Sequence, residues 1–149
     1  MTRSRRDAPE RPEVPTGTGN KPALTEAIRR RLEALPEILF ACLHGSFQRA
    51  GPHRDVDVAV WVDAARQPVD GWFRYALDLS VTLQIELGIP VDIQVLNDAP
   101  LAFRYHALKG DPLFARDWEL LHEVRARTWD DYFDFLPFAR QYLREVLSA

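Results

Sequence analysis

Two acids, Asp55 and Asp57, open the alternating run "DVDVAVWV" (residues 55–62), and a third, Asp92, stands near the start of another, "PVDIQVLN" (90–97). In extended backbone, residues two apart project from one face, so Asp55 and Asp57 point the same way. Acids are poor strand formers, and two unpaired carboxylates on one face repel each other and resist desolvation. A hard divalent cation relieves both costs. Mg²⁺ takes oxygen ligands in an octahedron and is commonly held by one or two carboxylates together with substrate phosphates. If the strand carrying Asp92 neighbours the strand carrying Asp57, a third carboxylate joins the pair. Such a trio around metal ions suits in-line displacement at phosphorus, that is, phosphoryl or nucleotidyl transfer.

The step Gly45-Ser46 supplies the other half of that chemistry. It ends the apolar run "ILFACLH" (38–44), with eight residues between it and Asp55. Glycine lets backbone approach a phosphate closely, and serine adds a hydroxyl and a backbone N–H. A short helix opening at 46–50 would add free amides and a positive dipole end, which together favour an anion. Taken singly, each piece has an ordinary reading: a strand-end turn, a surface pair of acids, an edge acid. In this order on a strand–turn–strand–helix–strand frame, they converge on metal and triphosphate. His44 and His53 beside the motif are expected to be a packed strand-end residue and a solvated one.

The elements that must position these residues follow from hydrophobic periodicity. "ALTEAIRRRLEALPE" (23–37) places Leu24, Ile28, Leu32 and Leu35 at helical spacing, with Pro36 as its stop. The unbroken apolar run 38–44 predicts a strand buried on both faces. Residues 55–62 and 90–97 predict strands with one apolar face each, and 70–88 a helix between them. A short helix is expected near 100–109, a short edge strand in "PLFARD", and one long helix over about 118–148, with Pro137 as a possible kink. Its aromatic series, Trp129, Tyr132, Phe133, Phe135, Phe138 and Tyr142, is expected to be mostly core, with any exposed remainder marking a partner surface. The fold class is therefore α/β (α+β): a small mixed sheet with helices, covered mainly on one face.

Bulk properties narrow the class. At 149 residues, 46% hydrophobic and 28% charged, the chain is expected to form one domain. Residues 1–22 hold five basic and three acidic side chains, four prolines and no aromatic residue, and read as a disordered tail ahead of a domain spanning 23–149. The net charge of −3 leaves an acidic body, which argues against broad binding of nucleic acid through its phosphates. No run is apolar enough to span a membrane, and no signal-peptide core is present. The single cysteine, Cys42, sits among apolar neighbours, as a buried thiol in a reducing cytoplasm would.

"LHGS…RDVDVAVWV…VDIQVLN" resembles the nucleotidyltransferase superfamily of DNA polymerase β type, marked by Gly-Ser, a loop, Asp-x-Asp and a third carboxylate on a later strand. The short chain resembles the minimal nucleotidyltransferases. Its C-terminal part, "FRYHALKGDPLFARD" with "HEVRARTWDDYFDFLPFARQYL", is similar to the subset that serves as antitoxins beside HEPN-domain ribonuclease toxins. The resemblance implies a polymerase-β-like fold and transfer of AMP from ATP to a tyrosine of a HEPN partner. It further implies Gly45 and Ser46 on the triphosphate, Asp55 and Asp57 on Mg²⁺, and Asp92 as third carboxylate and base for the attacking hydroxyl. Two other readings stand beside it: an antitoxin that neutralises by contact alone, and a transferase acting on a small molecule such as an antibiotic.

Overall fold

The computed structural model describes residues 21–45 and 55–148. Helix α1 (Lys21–Glu33) leads into strand β1 (Ile38–His44). Strand β2 (Val56–Val62), helix α2 (Trp72–Leu87) and strand β3 (Val91–Val95) follow. Helix α3 (Leu101–Leu108), strand β4 (Asp111–Ala115) and helix α4 (Trp118–Leu147) complete the chain. The four strands form one mixed sheet in the order β3-β2-β1-β4, with β1 antiparallel to β2 and β4, and β2 parallel to β3. A parallel neighbour requires a crossover, and α2 provides it.

The expectation of a sheet covered mainly on one face is corrected. Helices α1 and α2 cover one face, where Leu24, Ile28 and Leu32 pack with Val56, Val58, Val60, Leu79 and Leu83. Helices α3 and α4 cover the other, where Phe40, Cys42 and Ala59 meet Leu96, Leu108 and Leu121. The central strand β1 explains the need for both layers: it is apolar at every position up to His44, so its side chains must be buried above and below. Each fully buried side chain of this size contributes about 1.5–3 kcal/mol. Cys42 is a free, buried thiol, and burial pushes its pKa up to about 11.

Two arginines tie the helices to the sheet. Arg116, just after β4, donates from Nε to the Ile38 carbonyl at 2.7 Å and from Nη2 to the carbonyls of Glu33 and Leu35 at 2.6 and 2.8 Å. Its bond to Glu33 satisfies an acceptor that the end of α1 leaves open. Arg125 of α4 likewise donates to the carbonyls of Leu108 and Gly110 beyond α3. At its own start α4 is capped by Asp117, whose carboxylate accepts from the backbone N–H groups of Glu119 and Leu120.

The aromatic series on α4 divides where the sheet ends. Trp129 and Tyr132 pack on Tyr105 of α3, the latter stacked at 3.9 Å between centroids. Phe133, Phe135, Phe138 and Tyr142 are exposed, against the expectation that the series is mostly core. The reason is length. A helix of 30 residues runs to about 45 Å, whereas strands of five to seven residues span about half that, so the second half of α4 outruns what could bury it.

Gly110 marks the tightest approach. A Cβ there would lie 1.8 Å from the Leu43 carbonyl oxygen and 3.0 Å from that of Ala107. Both obstacles are backbone, so neither can rotate away. Gly110→Ala is expected to destabilise the protein by about 3 kcal/mol or more, read as a shifted denaturant midpoint; an unchanged midpoint would show that β1 and β4 separate more easily than this packing implies.

Candidate active site

Strand pairing brings the sequence-predicted acids to one end of the sheet. Asp57 of β2 is the register partner of Asp92 in the parallel strand β3, and of His44 in the antiparallel strand β1. Neighbouring strands lie about 4.8 Å apart, and register partners project from the same face. His44, Asp57 and Asp92 thus form a row across three adjacent strands, on the face that α3 and α4 cover farther along. Asp55 lies one residue before β2 and is exposed, as is Asp92, while Asp57 is half-buried.

Gly45 closes the row. Its φ of +77° lies in the left-handed region, which side chains with a Cβ rarely adopt. An added Cβ would also sit 2.6 Å from Asp57 Oδ2, so the glycine lets the chain leaving β1 pass directly over that carboxylate. Ser46, the other half of the expected phosphate grip, lies outside the described residues, as do the expected helix at 46–50, His53, and residues 1–20 of the expected tail.

Sequence reasoning missed Gln94. It stands two residues after Asp92 on the same face. Its amide oxygen accepts from His44 Nε2 at 2.8 Å, and its amide nitrogen donates to Asp92 Oδ2. The His44 ring also meets Phe103 of α3 edge-on, with 5.5 Å between centroids. Gln94 is thus a strut between the histidine and the third carboxylate. The alternation of residues 90–97 already placed it on the face of Asp92, and that was the available signal. At the far end of the pair, Asn97 exchanges two hydrogen bonds of 2.9 Å with the backbone of Val62, which locks β2 and β3 in this register.

The donor set suits a hard divalent cation: carboxylate oxygens in register, with a glycine in place of any side chain above them. Among the described residues, no three acidic, imidazole or thiol side chains converge closely enough to hold a metal ion by themselves. A cation held here would draw further ligands from substrate phosphates and water, which is the ordinary coordination of Mg²⁺. Arg104 of α3 and Lys109 just after it are engaged elsewhere. Arg104 donates to the Asn97 and Ala99 carbonyls, and Lys109 lies over the Tyr105 ring at 4.3 Å.

Residues 26–119 match the family model described as polymerase beta, nucleotidyltransferase. The chain belongs to that family, as its Gly-Ser and Asp-x-Asp pattern led us to expect. Solved structures extend the likeness. A chain from the tri-AMPylated Shewanella oneidensis HEPN toxin in complex with MNT antitoxin superposes with a TM-score of 0.67 at 19% identity, covering 87% of this chain and 99% of that one. A chain from the toxin–antitoxin MntA–HepT gives 0.64 at 19% identity, with coverage of 85% and 99%. One from the toxin–antitoxin with AMP-PNP gives 0.66 at 20%, with coverage of 85% and 98%. At these identities the likeness is one of fold: a polymerase-β-like nucleotidyltransferase with a long C-terminal helix. A comparison with curated proteins found no match.

Gly45→Ala should separate site geometry from folding. The left-handed backbone costs an alanine about 1–2 kcal/mol, and the new methyl displaces the Asp57 carboxylate. Nucleotidyl transfer, followed as pyrophosphate release, is expected to fall at least tenfold while circular dichroism stays that of wild type. Wild-type rates would show that the contact with Asp57 has no part in the reaction.

Proposed function

We propose that this protein is an antitoxin that transfers AMP from ATP to a tyrosine of a HEPN-domain ribonuclease toxin and so silences it. The observation that carries this reading is the register of Asp57 with Asp92 beneath Gly45. A transferase of the polymerase β family needs carboxylates at one point and a backbone that admits a triphosphate, and this end of the sheet offers both. The likeness of fold to a chain from a tri-AMPylated HEPN toxin in complex with MNT antitoxin, and to one from a toxin–antitoxin with AMP-PNP, supports the choice of nucleotide and acceptor.

The residues take the following roles. Asp55 and Asp57, with Asp92, would hold Mg²⁺, which when bound offsets charge on the triphosphate and on the departing pyrophosphate. Gly45 and Ser46 grip the triphosphate through backbone N–H groups and a hydroxyl. Asp92 accepts the proton of the tyrosine hydroxyl, whose oxygen attacks the α-phosphorus. The bond from that phosphorus to the bridging oxygen breaks, pyrophosphate leaves, and AMP remains on the tyrosine as a phosphodiester. Gln94 holds Asp92 in place from His44. No helix among the described residues is long and apolar enough to cross a membrane, and an antitoxin of this kind works in the cytoplasm. The acidic body favours a protein acceptor over direct binding of nucleic acid.

Asp57→Asn keeps the size of the side chain and removes its charge. Metal-assisted charge stabilisation contributes several kcal/mol and about 1.4 kcal/mol is tenfold in rate, so transfer should fall on the order of a thousandfold. The assay is mass spectrometry of a purified HEPN-domain ribonuclease incubated with this chain, ATP and Mg²⁺. The expected result is an added AMP with wild type and none with Asp57→Asn. If both neutralise the partner equally and neither leaves an adduct, neutralisation by contact alone is the correct account.

A further inference from the structure

Helix α2 buries Trp72, Ala76, Leu79 and Leu83 and leaves a second apolar stripe outside. Phe73, Leu77, Val81 and Ile85 follow one another at four-residue steps, and Phe73 and Ile85 are 83% and 78% exposed. This stripe spans about 18 Å. Between it and the edge strand β3 runs a groove of about 360 Å³. Its apolar walls are Phe73, Ala76, Leu77 and Val95, and its acids are Asp92 and Asp98. Because α2 is the crossover between parallel strands, it runs back against β3. The groove therefore descends from Phe73 and Asp98 to Ser80 and Asp92, and it ends at the third carboxylate of the site.

We infer that this groove is the acceptor subsite: it receives an aromatic hydroxyl side chain carried on a helical segment of the acceptor protein. The inference rests on the adenylyl-transfer reading and specifies where the acceptor docks. Three observations choose this occupant. First, Asp92 lines the groove together with Leu77 and Val95, so an acceptor side chain that enters it comes to the strand edge beside that carboxylate. Second, every charged group lining it is an acid, which disfavours the triphosphate and leaves the nucleotide to the Gly45 side of the row. Third, an added strand finds a blocked edge. The outward N–H of Ile93 already donates to Ser80 Oγ at 2.9 Å, and that hydroxyl donates to the Ala76 carbonyl at 2.7 Å. With strand addition obstructed there, the four-residue repeat along α2 is the surface that remains, and such a stripe matches a packed helix.

Phe73→Asp and Leu77→Asp test the assignment, since both side chains are exposed enough to be replaced without opening the core. Initial rates of adenylylation would be measured with the purified HEPN protein as varied acceptor at saturating ATP, and again with ATP varied. Each substitution is expected to raise the KM for the HEPN protein tenfold or more and to leave the KM for ATP within twofold. An unchanged acceptor KM, or a rise confined to ATP, overturns the assignment. If wild type transfers no AMP at all, the adenylyl-transfer reading has failed. The groove is then judged by affinity alone: tenfold weaker binding of the HEPN protein by both variants keeps it as a docking site, and equal binding removes it.

Discussion

Two carboxylates of like charge stand side by side on adjacent parallel strands, and much of the molecule can be understood from that placement. Asp57 and Asp92 are register partners at the end of a sheet whose interior is apolar. Nothing about folding alone favours this arrangement, because like charges directly opposite each other on one face are destabilising. In the proposed reaction a cation and a polyphosphate convert the repulsion into attraction. The surrounding architecture keeps the pair in place. Asn97 pins β2 to β3 at the far end, the crossover helix α2 enforces the parallel pairing, and layers on both faces hold the sheet rigid.

The neighbours of the pair serve the same end. Gly45 passes over Asp57 with no side chain to intervene, in a backbone conformation that few other residues would accept. His44, Gln94 and Asp92 form a hydrogen-bonded chain across the face, so the third carboxylate is oriented rather than free to turn. In the proposed reaction Asp92 is the base, which must be held within hydrogen-bond reach of the proton it takes, and this strut would supply that restraint. On the outer side of β3, Ser80 occupies the edge N–H and α2 presents an apolar stripe. One flank of the row, beside Gly45, is the proposed side for the nucleotide, and the other the proposed side for the acceptor.

Much of this was legible in the sequence, for definable reasons. Period-two alternation in 55–62 and 90–97 placed the acids on single faces, and the unbroken run 38–44 marked the central strand. The long C-terminal helix and the crossover helix followed from their periodicity. The second covering layer was not anticipated, although the two-faced burial of β1 implied it. The role of Gln94 was missed because an amide carries no chemical signature until its partners are known. The exposed half of α4 was misread because an aromatic residue looks the same in a core as on a surface; only the length of the sheet decides which it is. The pairing of Asp57 with Asp92 depends on strand order, which alternation within either strand does not encode.

The central claim is that Asp57 and Asp92 are a charged pair kept for a cation and a nucleotide at the expense of stability. Thermal unfolding of wild type and Asp57→Asn, each with chelator and then with Mg²⁺ and ATP, tests it most directly. With chelator, removing one of the two like charges should leave the variant as stable as wild type or more so. With Mg²⁺ and ATP, the midpoint of wild type should rise by several degrees and that of the variant should not. A variant that is less stable than wild type with chelator, yet shifts equally with Mg²⁺ and ATP, would show that Asp57 supports the fold and not the ligand.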